Sequence, residues 1–239
     1  TSADNLVLIG DQMQLSQPMR AKHEGYARMS SLDFILEDDD TISTDKGVFL
    51  NVTRRLNKKI CNYISTSFYD SRLTSDPITE TRSVNLKLDP IKDEGLFYVP
   101  IDHNGCSQRS DEEADLVEKV FNKIVNKEYK SENITGKISA KDIMVVAPYN
   151  AQANNIRERL KKKFKDDVRV GTIDLFQGQE AKVVLISMTT SDVESLPRHK
   201  DFFFSRNRLN VAISRAECVA IIIFNENLLL ASASSIKEM

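Results

Sequence analysis

Tryptophan is absent from this 239-residue sequence, and cysteine, proline and glycine are scarce, at 3, 6 and 8 residues. That scarcity excludes collagen-like and low-complexity chains. Cys61, Cys106 and Cys218 are odd in number, far apart and never arranged as C-x-x-C, so neither a disulfide framework nor a zinc site is suggested. They fit a reducing, cytoplasmic setting. His23, His103 and His199 are equally scattered, and their spacing gives no metal site. The longest near-unbroken apolar stretch, Cys218 to Phe224, falls far short of the ~20 residues a membrane span needs. A dominant charge sign is also missing, since 33 Lys and Arg face 35 Asp and Glu for a net charge of −2.

What remains is a sequence that is 41% hydrophobic and 28% charged, enough to fill one core. At ~150 residues per domain the length allows one large α/β domain, expected over 1–239. The start, Thr-Ser-Ala-Asp-Asn, carries neither an initiator Met nor the layout of a secretion signal, and reads as the cut edge of a longer protein. The charges are segregated. Six acids and no base lie between Asp33 and Asp45, seven bases and three acids between Arg157 and Arg169, and five bases and one acid between Arg198 and Arg215. The run from Arg157 reads as the wet face of an amphipathic helix. The last run differs because its bases alternate with residues that suit a phosphate site.

Apolar runs of strand length alternate with segments of helical period. Strands are expected at Leu6–Ile9, Val48–Leu50, Leu96–Val99, Ile143–Ala147, Val168–Ile173, Val183–Met188 and Val219–Phe224. Helices are expected at Arg28–Leu36, from Leu56 to Phe68, and at Asp111–Lys127, Ala151–Phe164 and Arg206–Ala216. Residues 70–95, with Pro77, Pro90 and Gly95, are the least regular part. Continuous Val/Ile runs are typical of parallel strands covered on both faces. The order predicts a three-layer αβα domain with a mainly parallel sheet and ligands at the carboxyl ends of its strands.

Four segments carry candidate chemistry. Leu6-Val-Leu-Ile-Gly-Asp-Gln-Met-Gln-Leu15 delivers Asp11 and Gln14 past an apolar run. Leu50-Asn-Val-Thr-Arg-Arg-Leu56 places two guanidiniums at a helix start, where the dipole repels cations unless an anion sits opposite. Val170-Gly-Thr-Ile-Asp-Leu-Phe-Gln-Gly-Gln-Glu180 enters a polar loop whose backbone N–H groups can approach a phosphate. Arg206-Asn-Arg-Leu-Asn-Val-Ala-Ile-Ser-Arg215 sets Arg208 and Arg215 two turns apart on one helical face, and Arg suits phosphate because its planar fork stays charged.

Together and in this order the segments resemble motifs III, IV, V and VI of superfamily 1 helicases. Gly10-Asp11-x-x-Gln14-Leu15 is similar to motif III, Arg55 falls at the arginine of motif IV, Phe176-Gln-Gly-Gln-Glu180 resembles motif V, and Arg208-Leu-Asn-Val-Ala-Ile-Ser-Arg215 resembles motif VI. Val145-Val-Ala-Pro-Tyr-Asn-Ala-Gln152 is similar to the segment that approaches nucleic acid in this superfamily. The resemblance covers essentially the whole chain. It is strongest to the branch holding the nonsense-decay and replication nuclease-helicases, especially bacterial proteins in which the motor follows a RecB-like nuclease domain.

The resemblance implies a second RecA-like domain of the P-loop NTPase type, with ATP and Mg2+ shared with a first RecA-like domain upstream that holds the magnesium ligands. Gln14 would contact the γ-phosphate or its attacking water, and Arg55 and Arg215 would act as arginine fingers. Gln177 and Gly178 would approach the phosphate and Glu180 the ribose or that water, while Arg208 would join the nucleotide-binding set. Pro148, Tyr149 and Thr172 would lie towards single-stranded nucleic acid, DNA ahead of RNA; Tyr149 reads equally well as a core aromatic. Where the family carries an aromatic before the motif IV arginine, Arg54 stands, so its guanidinium plane would have to replace that ring. Gln12 replaces the usual motif III proline. No Gly-x-x-x-x-Gly-Lys-Ser/Thr loop occurs, since Gly136-Lys137 has Ser131 at the first glycine position, and no Asp-Glu follows an apolar strand. The expectation is a motor domain that hydrolyses ATP only with its upstream partner. The alternative is a non-catalytic nucleic-acid- or partner-binding module of the same fold.

Overall fold

The computed structural model describes residues 4–15, 25–37, 39–132, 134–191 and 205–230. Its helices are α1 (Ser31–Leu36), α2 (Lys58–Phe68), α3 (Asp111–Ile124), α4 (Asn150–Phe164) and α5 (Arg206–Ile213). Its strands are β1 (Val52–Thr53), β2 (Thr74–Ser75), β3 (Ser83–Val84), β4 (Gly95–Pro100), β5 (Glu128–Ser131), β6 (Ile134–Lys137), β7 (Ile143–Val146), β8 (Arg169–Gly171), β9 (Ala181–Ser187) and β10 (Ala216–Phe224).

Five strands form one sheet in the order β4-β10-β9-β7-β8, and every neighbouring pair is parallel. Side-chain alternation explains the layers. Ile143, Val145, Val183, Leu185, Val219, Ile221 and Ile223 face α3 and α4, which contribute Val117, Phe121, Ile124, Ala153, Ile156 and Leu160. Met144, Val146, Val184, Ile186, Ala220 and Ile222 face the other side, against Ile60, Ile64 and Phe68 of α2 and Val211 and Ile213 of α5. A period of two with both sets apolar is what a doubly covered strand needs, and each such buried Leu, Ile or Phe is worth about 1.5–3 kcal/mol of transfer energy. The expected three-layer αβα architecture with a parallel sheet is therefore present.

Local sequence sets the helix starts. The Asn57 side chain accepts the Ile60 N–H at 3.0 Å, Ser110 accepts that of Glu113 at 3.1 Å and Ser205 that of Arg208 at 3.2 Å. Each satisfies a donor the helix itself cannot pair. The acidic first turn of α3, Asp111 to Glu113, suits the positive end of its dipole. Among the described residues no helix is long and apolar enough to cross a membrane.

Several expected elements differ. Leu6–Ile9 is not a strand, and its side chains are 71, 81, 42 and 91% exposed. An apolar run becomes a strand only beside an edge that completes its hydrogen bonds, and none of the described strands pairs with it. Val48–Leu50 is likewise unpaired, and the short strand falls instead at β1, beside β2. Helix α3 stops at Ile124 rather than Lys127, because Val125 leaves helical geometry and Asn126 takes φ 69°. Its N–H then bonds Ile138 O at 2.8 Å, opening the β5-β6 hairpin that the polar sequence concealed. Helix α1 begins only at Ser31, after a separate 3-10 turn over Gly25–Arg28. Helix α5 ends at Ile213, so Arg215 lies beyond it and does not share a helical face with Arg208. The part of the basic run at 198–204 lies outside the described residues.

Candidate functional site

Gln14, Arg55, Glu180 and Arg215 meet in one cluster, but not at the carboxyl ends of the strands. Glu180 immediately precedes β9 and Arg215 immediately precedes β10, which places both at the amino ends of parallel strands. The chain leaves β8 at its carboxyl end through Thr172 and returns through a 3-10 turn, Ile173–Phe176, to reach that opposite end. Arg55 is delivered to the same end by the start of α2. There the Asn57 N–H donates to Glu217 O at 3.2 Å, and the Thr79 hydroxyl donates to Leu56 O at 2.7 Å. Arg82, which sequence reasoning missed, donates to the backbone oxygens of Arg54 and Arg55 at 3.2 and 2.8 Å and so fixes the turn.

Arg55 Nε donates to Glu180 Oε2 at 2.8 Å, with side chains 30 and 54% exposed. The Arg55 guanidinium also reaches Ser214 O at 3.3 Å. Arg215 is only 2% exposed, and its guanidinium donates to Val211 O at 3.1 Å, Gln179 O at 3.1 Å and Gln14 Oε1 at 3.3 Å. All three acceptors are neutral, and among the described residues no carboxylate pairs with Arg215. Burial, and then the nearby Arg55 charge, push its pKa down to about 10 against partial compensation from Asp11 and Glu180. A buried cation held only by dipoles is costly and is poised for an anion.

The loop holding Gln14 is anchored from α5. Asn207 Nδ2 donates to Gln12 O and Gln14 O at 2.6 and 2.7 Å, and Asn210 Nδ2 donates to Met13 O at 2.8 Å. The Tyr69 hydroxyl donates to Asp11 Oδ2 at 2.8 Å, and Gln14 Nε2 donates to the same oxygen at 2.7 Å. Sequence reasoning missed Asn207 and Asn210; their signal was two amides three residues apart on one face of the same helix.

The other candidates spread outward. Gln177 and Gly178 are exposed on the loop before Glu180. Gly178 has φ +76°, and a Cβ there would meet nothing within 4 Å, so the backbone conformation, not crowding, calls for glycine. Arg208 pairs with Asp174 at 3.3 Å, away from Arg215. Arg54 is 87% exposed beside Asp76. Pro148, Tyr149 and Thr172 sit past β7 and β8, at the opposite, carboxyl end of the sheet. Pro148 and Thr172 are half-buried, whereas Tyr149 is buried at the start of α4, where burial pushes its pKa up to about 12.

That carboxyl end has its own network. The Glu113 carboxylate, fully buried, accepts the Ser187 hydroxyl at 2.6 Å and the Thr189 N–H at 2.8 Å, and lies 3.1 Å from His103 Nε2. Gln152 of α4 accepts the Ser110 N–H and donates to Ser110 O and Ser187 Oγ, each at 3.0 Å. Thus α3, α4 and β9 are tied together there.

With this geometry in place, comparison with known proteins decides the family. The AAA domain family known as AAA_12 matches residues 30–227. The chain belongs to this family. Its relatives include the DNA polymerase alpha-associated DNA helicase A of Schizosaccharomyces pombe, 30% identical over 236 residues, covering 94% of this chain and 34% of the relative. An uncharacterized ATP-dependent helicase of Methanocaldococcus jannaschii is 28% identical, covering 94% of this chain and 33% of the relative. The RNA helicase Mov10l1 of Mus musculus is 35% identical over 101 residues, 41% of this chain and 8% of the relative. The first two agree across nearly the whole chain with the superfamily 1 resemblance of the four motifs. The chain spans about a third of the length of those two relatives.

Proposed function

We propose that this chain is the second, C-terminal RecA-like motor domain of an ATP-dependent superfamily 1 helicase. In this reading ATP and Mg2+ are held mainly by an upstream RecA-like domain of the parent chain. The amino-end cluster faces that nucleotide. Arg55 and Arg215 offset charge developing on the transferred phosphoryl, Gln14 orients the γ-phosphate or its attacking water, and Glu180 holds Arg55 until the nucleotide competes for it. Arginines in this role are worth about 10³–10⁵ in rate where measured. Gln177, Gly178, Arg208 and the exposed plane of Arg54 complete the nucleotide edge.

The observation that carries the reading is Arg215, a buried guanidinium with three neutral acceptors and, among the described residues, no carboxylate partner. A residue kept only for stability would be paired or apolar. The exposed apolar run Leu6–Ile9 supports it too, since it has the composition of a strand whose sheet belongs to a neighbouring lobe. Pro148, Tyr149 and Thr172 at the opposite end of the sheet mark the edge towards single-stranded nucleic acid. Both a DNA helicase and an RNA helicase are among the relatives; DNA is the substrate proposed, with a nuclease domain upstream in the parent.

The test joins the chain to its upstream lobe and measures nucleic-acid-stimulated ATP turnover. Arg215→Ala should reduce kcat by about 10³ or more while nucleotide binding is largely kept. An unchanged kcat would refute the finger assignment.

A further inference from the structure

The carboxyl end of the sheet carries a second arrangement that the motor reading does not use. We infer that His103, Cys106 and Glu112 bind a divalent cation of the zinc type. A ring nitrogen of His103, the Cys106 Sγ and a Glu112 carboxylate oxygen all lie within 4.8 Å of one another. A tetrahedral zinc site with its ~2.0–2.3 Å bonds sets ligand atoms about 3.5 Å apart, so a movement of about 1 Å closes the set. A thiol, an imidazole and one carboxylate together favour zinc over a hard, all-oxygen ion.

Independent support comes from His103. Its side chain is fully buried, its Nε2 is engaged by Glu113 at 3.1 Å, and its Nδ1 has no hydrogen-bond partner among the described residues. A ring N–H directed at a carboxylate leaves the second nitrogen with a free lone pair, the arrangement that metal-bound histidines commonly show. Glu113 is itself held by the Ser187 hydroxyl and the Thr189 N–H, so the ring is oriented from α3 and the end of β9 before any ion arrives. The Cys106 segment is also fixed. Its N–H donates to Ser191 Oγ at 3.1 Å, while its carbonyl accepts the Ser191 N–H at 2.9 Å and the Thr190 hydroxyl at 3.0 Å. Cys106 Sγ makes long contacts, 3.7 Å to Asn104 O and 3.9 Å to Glu112 Oε2, and Glu112 also accepts the Ser110 hydroxyl at 3.0 Å. On binding, the Cys106 proton leaves to solvent, the thiolate, Nδ1 and carboxylate take three positions, and water takes the fourth. The ion would staple the loop before α3 to that helix's first turn.

Cobalt(II) titration of the reduced 239-residue chain tests this, because thiolate ligation gives an ultraviolet charge-transfer band that carboxylate and imidazole do not. One equivalent should produce the band in the wild type, Cys106→Ser should abolish it, and Glu112→Gln, an exposed change that leaves folding intact, should weaken binding about tenfold. Zinc should raise the Tm of the wild type and leave that of Cys106→Ser unmoved. No band in the wild type, an unchanged band in Cys106→Ser, or unchanged affinity in Glu112→Gln would overturn the assignment.

Discussion

Two buried charged side chains, at opposite ends of the same sheet, are treated in opposite ways. Glu113, at the carboxyl end, is fully buried with a hydroxyl, a backbone N–H and an imidazole around its carboxylate. Arg215, at the amino end, is as buried but held, among the described residues, by two carbonyls and an amide oxygen, beside a second arginine. The first arrangement ties three elements of the fold together. The second leaves stability unclaimed, as sites kept for function often do. Polarity is thus divided along the strands: the groups proposed to meet a nucleotide collect where β9 and β10 begin, and the fold is locked where β9 ends.

The largest expected effect tests that contrast directly. Glu113→Ala strands the Ser187 hydroxyl, the Thr189 N–H and the His103 ring N–H, and should lower unfolding free energy by about 3 kcal/mol or more in urea titrations. Arg215→Ala, although the side chain is larger, should cost only about 1–2 kcal/mol, because relief of a buried charge that is only partly compensated offsets lost packing. Equal losses would break the comparison.

Gly178→Ala should cost about 1 kcal/mol by the same measurement, through its positive φ alone, and Gly178→Asn less, since Asn tolerates that region better. An alanine as harmless as on a flat surface loop would mean the motif V backbone is not fixed in this conformation.

A smaller effect is acid sensitivity at the amino end. Burial raises the Asp142 pKa, but hydrogen bonds from Lys182 and Ser139 outweigh it and hold the carboxyl below its ordinary value of 3.8. For a depressed acid the stabilisation is fully present above the ordinary value and is lost as pH falls through the lowered one. Below about pH 4 the wild type should therefore lose stability faster than Asp142→Asn, and above it the difference between them should be constant.

Much of this was legible in the sequence, for identifiable reasons. The runs at 143–146, 183–186 and 219–224 are apolar on both faces, which leaves little but a covered parallel strand. Gln14, Arg55, Glu180 and Arg215 were legible as motif residues, yet the end of the sheet where they gather was not. A residue after one strand and before the next belongs to whichever end the connection returns to, and the Phe176 to Glu180 segment is already back at the amino end. Leu6–Ile9 misled because strand composition does not supply a neighbouring edge. The His103, Cys106 and Glu112 grouping was hidden by uneven spacing; only a loop folded over the first turn of α3 brings the three together.

The central claim is that this chain carries the charge-sensing side of an ATP site and not the phosphate-cradling side. The most direct measurement is ATP turnover of the isolated 239-residue chain beside that of the same chain joined to its upstream lobe, both with single-stranded DNA. The account predicts near-background turnover for the isolated chain and nucleic-acid-stimulated turnover for the joined one. Motor-like hydrolysis by the isolated chain would contradict it.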